Sequence, residues 1–101
     1  MNEKQFQSQL LQLAKLAGWA YYHTHNSRRS VSGFPDLVLV RGKALIFAEL
    51  KVGRNKPSTE QARWLELLRQ TGAVVRLWRP EHWNEIQEIL LGGNSTNETT
   101  V

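Results

Sequence analysis

The chain has no cysteine and only three prolines in 101 residues. Without cysteine there can be no disulfide framework, thiolate zinc site or cysteine nucleophile. No apolar run approaches the roughly 20 residues that a membrane-spanning helix needs. The opening Met1-Asn2-Glu3-Lys4-Gln5 does not read as a secretory signal, so a soluble cytoplasmic domain is expected. Neither G-x-x-x-x-G-K-Ser/Thr nor G-x-G-x-x-G occurs, which leaves nucleotide hydrolysis and dinucleotide binding without support. Basic residues are missing from one end. Residues 80–101 hold four Glu and no Lys or Arg, whereas residues 1–79 hold all 13 basic side chains and five acids.

What is present fits one domain with one modest core: 41% hydrophobic residues, four of them Trp, and no internal repeat. A chain of this size buries roughly 60–70% of its unfolded surface. Between Trp19 and Thr59 lie seven basic residues and two acids, Asp36 and Glu49. Such a stretch attracts a polyanion, with a phosphate backbone the obvious candidate. Charge alone does not separate that reading from an ordinary solvated face.

The periodicity predicts a helix over residues 3–17, with Phe6, Leu10, Leu13 and Ala17 on one side, Asn2 as N-cap and Gln5 closing a capping box. Residues 19–25 are aromatic and β-leaning, and 26–33 read as a polar, basic loop. Two apolar runs, Leu37–Val40 and Ala44–Leu50, flank Arg41-Gly42-Lys43. Glycine first at the tip suits a type II′ hairpin over Gly42-Lys43. Both runs are apolar on both faces, so both faces of the sheet should be covered. A second helix is expected from Ser58 to about Thr71, with Ala62, Leu65 and Leu68 inward. A fourth strand follows over 73–79. Pro80 then opens a helix to about Leu91 bearing Trp83, Ile86 and Leu90. The expected fold is an α/β domain with a mixed sheet, in the order α-β-β-β-α-β-α. Residues 1–91 form the domain, and 92–101 are a polar tail expected to be disordered.

The hairpin makes a geometric prediction. If Arg41 pairs with Ala44, Asp36 faces Glu49 on the same side of the sheet. If Arg41-Gly42 is the tip instead, Asp36 faces Phe47 and Glu49 faces Phe34. Opposed carboxylates repel, and a divalent cation is the economical compensation; hard oxygen donors suit Mg²⁺ or Mn²⁺. Strand alternation puts Lys51 on the side of Glu49, with the Leu50 backbone carbonyl between them as a candidate third ligand. Two carboxylates, a cation and an ammonium suit phosphodiester hydrolysis. Each signal also has an ordinary reading: Asp after Pro is a common turn, and Glu49 with Lys51 can be a plain ion pair.

Gly33-Phe34-Pro35-Asp36, Glu49-Leu50-Lys51, Ser58-Thr59-Glu60-Gln61 and Gly72-Ala73-Val74-Val75 together resemble the virus-type replication–repair nuclease (VRR-NUC) family. That family belongs to the PD-(D/E)XK nuclease superfamily. The resemblance runs from about Asn2 to Leu90 and implies a restriction-endonuclease-like core and a metal-dependent DNA endonuclease. By that likeness Asp36 and Glu49 are the metal-binding acids and Lys51 the catalytic lysine. Glu3 takes the place of an acid on the first helix that supports the metal through water, and Gln61 that of a glutamine on the second helix. Gln61 also reads as the partner of Ser58 in a capping box. Phe34 departs from the small aliphatic residue expected there. Stand-alone members resemble four-way (Holliday) junction resolvases that work as dimers, which implies branched DNA and a second copy as partners, in a bacterial or phage-infected cell. The alternatives are a DNA-binding module with vestigial catalytic residues, or a nuclease for flaps, single strands or linear duplex. Asn26, Arg28 and Arg29 before the site, and Arg54 and Lys56 after it, are the candidate DNA contacts. His23 and His25 share a strand face but lack further ligands for zinc. Trp64, Trp78 and Trp83 are expected in the core or at an interface.

Overall fold

The structure is a computed structural model that describes residues 1–25 and 31–92. Helix α1 (Glu3–Leu16) is followed by strands β1 (Ala20–His23), β2 (Leu37–Arg41) and β3 (Ala44–Leu50). Helix α2 (Thr59–Gln70) leads to β4 (Val74–Trp78). A 3₁₀ turn (Pro80–His82), a short helix α3 (Trp83–Gln87) and a π turn (Glu88–Gly92) complete the described chain. No helix among the described residues is long and apolar enough to cross a membrane.

Local chemistry explains the element ends. The Asn2 side chain accepts from the Gln5 N–H while the Gln5 side chain accepts from the Asn2 N–H, and Ser58 and Gln61 repeat the arrangement at α2. Each box satisfies two N–H groups that the first helical turn leaves unpaired. The last helical segment carries one residue past Leu91, and residues 93–101 lie outside the described ones.

The four strands lie in the order β1-β2-β3-β4, antiparallel except for the parallel pair β3–β4. Arg41 pairs with Ala44, which puts Gly42-Lys43 at the hairpin tip. Gly42 has φ +60° and no described non-glycine residue has positive φ, so Lys43 does not share that conformation and the turn is of the II′ kind.

One sheet face carries Leu37, Leu39, Ile46, Ala48, Leu50 and Trp78, all buried, and packs against Phe6, Leu10 and Ala14 of α1 and Ile86 and Leu90 of the last helical segment. Burying each of the larger side chains contributes roughly 1.5–3 kcal/mol. Trp19 belongs to this core rather than to β1, and its indole N–H donates to the Leu90 carbonyl at 3.0 Å. Arg41 stacks on Trp19 and donates to the carbonyls of Ala17 and Leu90, so it ties both helical ends to the hairpin. Trp78 is buried, whereas Trp64 and Trp83 are half-buried.

The opposite face is covered only in part. Helix α2 lies against β4, where Leu65 and Val75 are buried. Sequence spacing points Ala62 inward, yet it is exposed, because α2 turns the Trp64, Leu65 and Leu68 side to the protein and Ala62 falls on its flank. The expectation that both faces of the two runs are covered is therefore not met among the described residues at their hairpin end, where Val40 and Leu45 are each 41% exposed.

Candidate active site

The site forms where β2 begins and β3 ends. The ladder runs from Arg41–Ala44 to Leu37–Ala48, and one further step brings Asp36 opposite Glu49. The alternative register, with Asp36 facing Phe47, does not occur, since Phe47 pairs with Val38. Thr24 fixes the start of β2 twice: its N–H donates to the Asp36 carbonyl at 2.8 Å and its hydroxyl to the Pro35 carbonyl at 2.7 Å. The Asp36 carboxylate itself accepts from the Leu50 N–H at 2.8 Å, which locks it to the end of β3. The Lys51 N–H donates to the Trp78 carbonyl at 3.0 Å and so anchors that end of β3 to β4.

Glu49 is 1% exposed, and neither of its carboxylate oxygens meets a hydrogen-bond donor. The Lys51 ammonium lies 3.6 Å from Glu49 Oε2. Burial pushes the Glu49 carboxyl up to about 8, and the Asp36 charge adds to the rise, while Lys51 opposes it only in part. Buried polar groups are normally satisfied. Two orphaned oxygens beside a second carboxylate therefore fit a divalent cation bound by hard oxygen donors.

A cleft of about 320 Å³ opens on Asp36 between residues 31–34 and the first turn of α2, with Gln61 and His25 in its wall. Gly33 sets its width. It has φ +96°, and a Cβ there would come within 2.6 Å of the Glu60 backbone. Only glycine permits both that conformation and that approach. Phe34 packs edge-on against Phe47 at 5.9 Å and Trp64 at 5.2 Å between ring centroids. Its bulk thus fills the space under the loop.

Asp36, Glu49 and Lys51 are brought together, and Gln61 shares the cleft with Asp36. Glu3 does not join the two acids as a direct third ligand: among the described residues no three His, Cys, Asp or Glu side chains gather around one point. Arg54 and Lys56 are exposed on the loop after Lys51. That loop is held by a Val52–Asn55 turn and by Arg79, whose guanidinium donates to the Gly53 carbonyl at 3.1 Å. Asn26, Arg28 and Arg29 lie outside the described residues. Sequence reasoning missed Thr24 and set His25 aside. The signal for both is the β1–β2 register, in which His23 pairs with Leu37 and the next residue therefore meets Asp36.

A comparison with the curated proteins finds no match. Among solved structures, one described as a VRR_NUC domain is 22% identical with a TM-score of 0.71, covering 90% of this chain and 96% of its own. A second, a VRR_NUC domain protein, is 18% identical with a TM-score of 0.65 and 78% coverage of both chains. Hjc of Archaeoglobus fulgidus, a Holliday junction resolvase, is 24% identical with a TM-score of 0.56, covering 76% of this chain and 69% of its own. These likenesses establish the fold, a mixed-sheet α/β architecture shared with PD-(D/E)XK nucleases. The family model for the VRR-NUC domain matches residues 1–80, and the chain belongs to that family.

Proposed function

We propose that this protein is a divalent-metal-dependent DNA endonuclease that acts on branched DNA as a homodimer. The observation that carries the reading is the buried, donor-less Glu49 carboxylate set beside Asp36 with the Lys51 ammonium 3.6 Å away. A merely structural sheet end has no use for that cluster, because burying Glu49 beside Asp36 raises the cost of folding and Lys51 offsets it only in part.

In this reading Asp36, Glu49 and the Leu50 carbonyl hold Mg²⁺ or Mn²⁺, with Glu3 supporting the site through water. Such a cation, when bound, supplies Lewis-acid polarisation of a phosphoryl oxygen. Lys51 presents its ammonium to the negative charge that develops on the phosphorus centre, or orients the attacking water. Gln61, in the cleft wall, positions the scissile phosphate. Arg54 and Lys56 on one side, and Asn26, Arg28 and Arg29 on the other, take the flanking phosphates. Two symmetric incisions need two sites, which a two-fold dimer provides.

The test is cleavage of end-labelled four-way junction, flap, single strand and linear duplex in Mg²⁺ or Mn²⁺. The parent protein is expected to cut the junction in preference. Asp36→Ala, Glu49→Ala and Lys51→Ala are each expected to lose at least about 10²-fold in rate while still binding in a gel-shift assay. A parent that binds DNA and cuts none of the four would mark a binding module instead.

A further inference from the structure

A second cavity, of about 750 Å³, lies at the other end of the sheet from Asp36 and Glu49. It opens between the starts of β3 and β4 and the last helical segment. Its origin is a mismatch of strand lengths. β3 is paired with β2 from Ala44 onward, whereas β4 joins it only at Ile46. Alternation and pairing put Ala44, Ile46 and Val74 on one face, and they form an apolar floor. The rim is cationic: Arg41, Lys43 and Arg76 stand there against one acid, Glu88. Arg41 is half-buried and fixed in place, since Nη1 donates to the Ala17 and Leu90 carbonyls and Cζ lies 4.5 Å from the Trp19 ring centroid. Both bonds leave from Nη1, so the rest of the guanidinium fork is left for an anion. Among the described residues neither Arg41 nor Lys43 forms an ion pair. Arg76 lies 3.9 Å from Glu85, but both side chains are about half-exposed and the pair offsets little.

We propose that this cavity docks an acidic segment of a partner protein, with one apolar side chain on the floor and carboxylates against the rim. The inference goes beyond the nuclease reading and does not depend on it. Charge complementarity selects an acidic occupant, because unpaired cations surround the opening. The floor selects a protein. A DNA duplex would offer phosphates to the rim but no side chain to the floor. Val74 in that floor is still 40% exposed, so the cavity covers one side of an extended segment rather than enclosing a small molecule. Residues 93–101 begin beside the rim, yet they supply one acid, Glu98, and one aliphatic side chain, Val101. A segment with several carboxylates around its anchor matches the rim better. The cavity is beyond the reach of residues 26–30. They join His25 to Val31, both in the wall of the cleft by Asp36, and a link of that length extends only about 10 Å out and back. The length of β3, about 20 Å, separates the two ends. A partner docked here leaves the end that carries Asp36 and Glu49 open.

The experiment titrates the full chain into a short fluorescein-labelled peptide, a central Trp flanked by Asp and Glu, and follows anisotropy. Two counterparts replace the Trp by Ala or the acids by Lys. The parent is expected to bind the acidic Trp peptide at least about tenfold more tightly than either counterpart. Lys43→Glu and, separately, Arg76→Glu are each expected to weaken that binding about tenfold, with a parent-like circular dichroism spectrum. Lys4→Glu, exposed in the first turn of α1, leaves it unchanged. In nitrogen-15 NMR spectra the peptide shifts the amides of residues 43–46 and 72–76 and leaves those of residues 36 and 49 in place. A parent that binds none of the three peptides up to about 1 mM overturns the proposal. So does equal affinity for the Lys counterpart, or a folded Lys43→Glu or Arg76→Glu protein that binds as the parent does. A peptide that binds Glu98→Lys protein but not the parent also overturns it, because the occupant is then the chain's own terminus.

Discussion

A carboxyl group buried without a donor weakens the fold in proportion to how much of it is ionised. Glu49 is such a group, with its carboxyl at about 8 against an ordinary 4.5. Between those values the unfolded chain releases the proton and the folded chain keeps it. The contribution of Glu49 to stability is therefore greatest at acid pH and falls as pH rises toward 8, the opposite of a salt-bridged acid with a depressed pKa. Glu49→Gln removes the charge while keeping the shape. In metal-free protein at pH 8 it is expected to raise the melting temperature by several degrees, since about 1 kcal/mol corresponds to 4–8 °C in a domain of this size. The gap should close toward pH 5. Calorimetric melts of both proteins across that range check it, and a gap independent of pH would refute the assignment. Adding Mg²⁺ or Mn²⁺ at pH 8 is expected to raise the melting temperature of the parent and leave Glu49→Gln unmoved, because a ligand stabilises only the fold it binds.

At the scale of elements, the site depends on how loops meet helices. Gly33 holds the segment before Asp36 against the first turn of α2, which carries Gln61. Gly33→Ala must both enter a left-handed conformation and displace the Glu60 backbone, and is expected to lose about 1–3 kcal/mol together with most activity. Gly72→Ala supplies the control: its φ is +86°, but nothing lies within 4 Å of an added Cβ. It should lose less stability and no activity, as urea melts and cleavage rates will report. Equal losses from both would show that backbone strain alone is at work. The same contrast explains what was legible in the sequence. The Asp36–Glu49 pairing was readable because a two-residue turn fixes the register of β2 on β3. The places of Thr24 and His25 were not, because no tight turn sets the register of β1 on β2. Ser58-x-x-Gln61 announced its helix cap, but the approach of α2 to Gly33 is a contact between distant segments that no local pattern encodes. Ala62 was misjudged for a related reason, since helical period defines a stripe but not the rotation at which it docks.

At the scale of the whole molecule, charge is sorted along the sheet. Lys51, Arg54 and Lys56 gather where β3 ends, and Arg79 holds their loop from beyond β4. Part of the acidic C-terminal charge is taken up internally: Glu85 accepts from the Trp78 indole N–H at 3.1 Å and lies 3.9 Å from Arg76. The basic end is thus left to meet phosphate. Neutralising a phosphate releases condensed counterions, so the affinity for duplex DNA falls with salt at a slope of about 0.9 per contact. If Arg54 and Lys56 each take one phosphate, the double Ala variant should flatten the slope of log Kobs against log[salt] by about 1.8. The change should be the same on linear duplexes of different sequence, because phosphate contacts carry no base information. Lys15→Ala supplies the comparison. Lys15 is exposed near the end of α1, where Ala17 is bound to Arg41 at the hairpin tip, the opposite end of β3 from Lys51. Its removal should lower affinity little and leave the slope unchanged. Fluorescence anisotropy titrations from 50 to about 200 mM salt measure both quantities. An unchanged slope in the double variant would move the DNA path away from the loop after Lys51, and with it the direction from which a strand reaches Asp36.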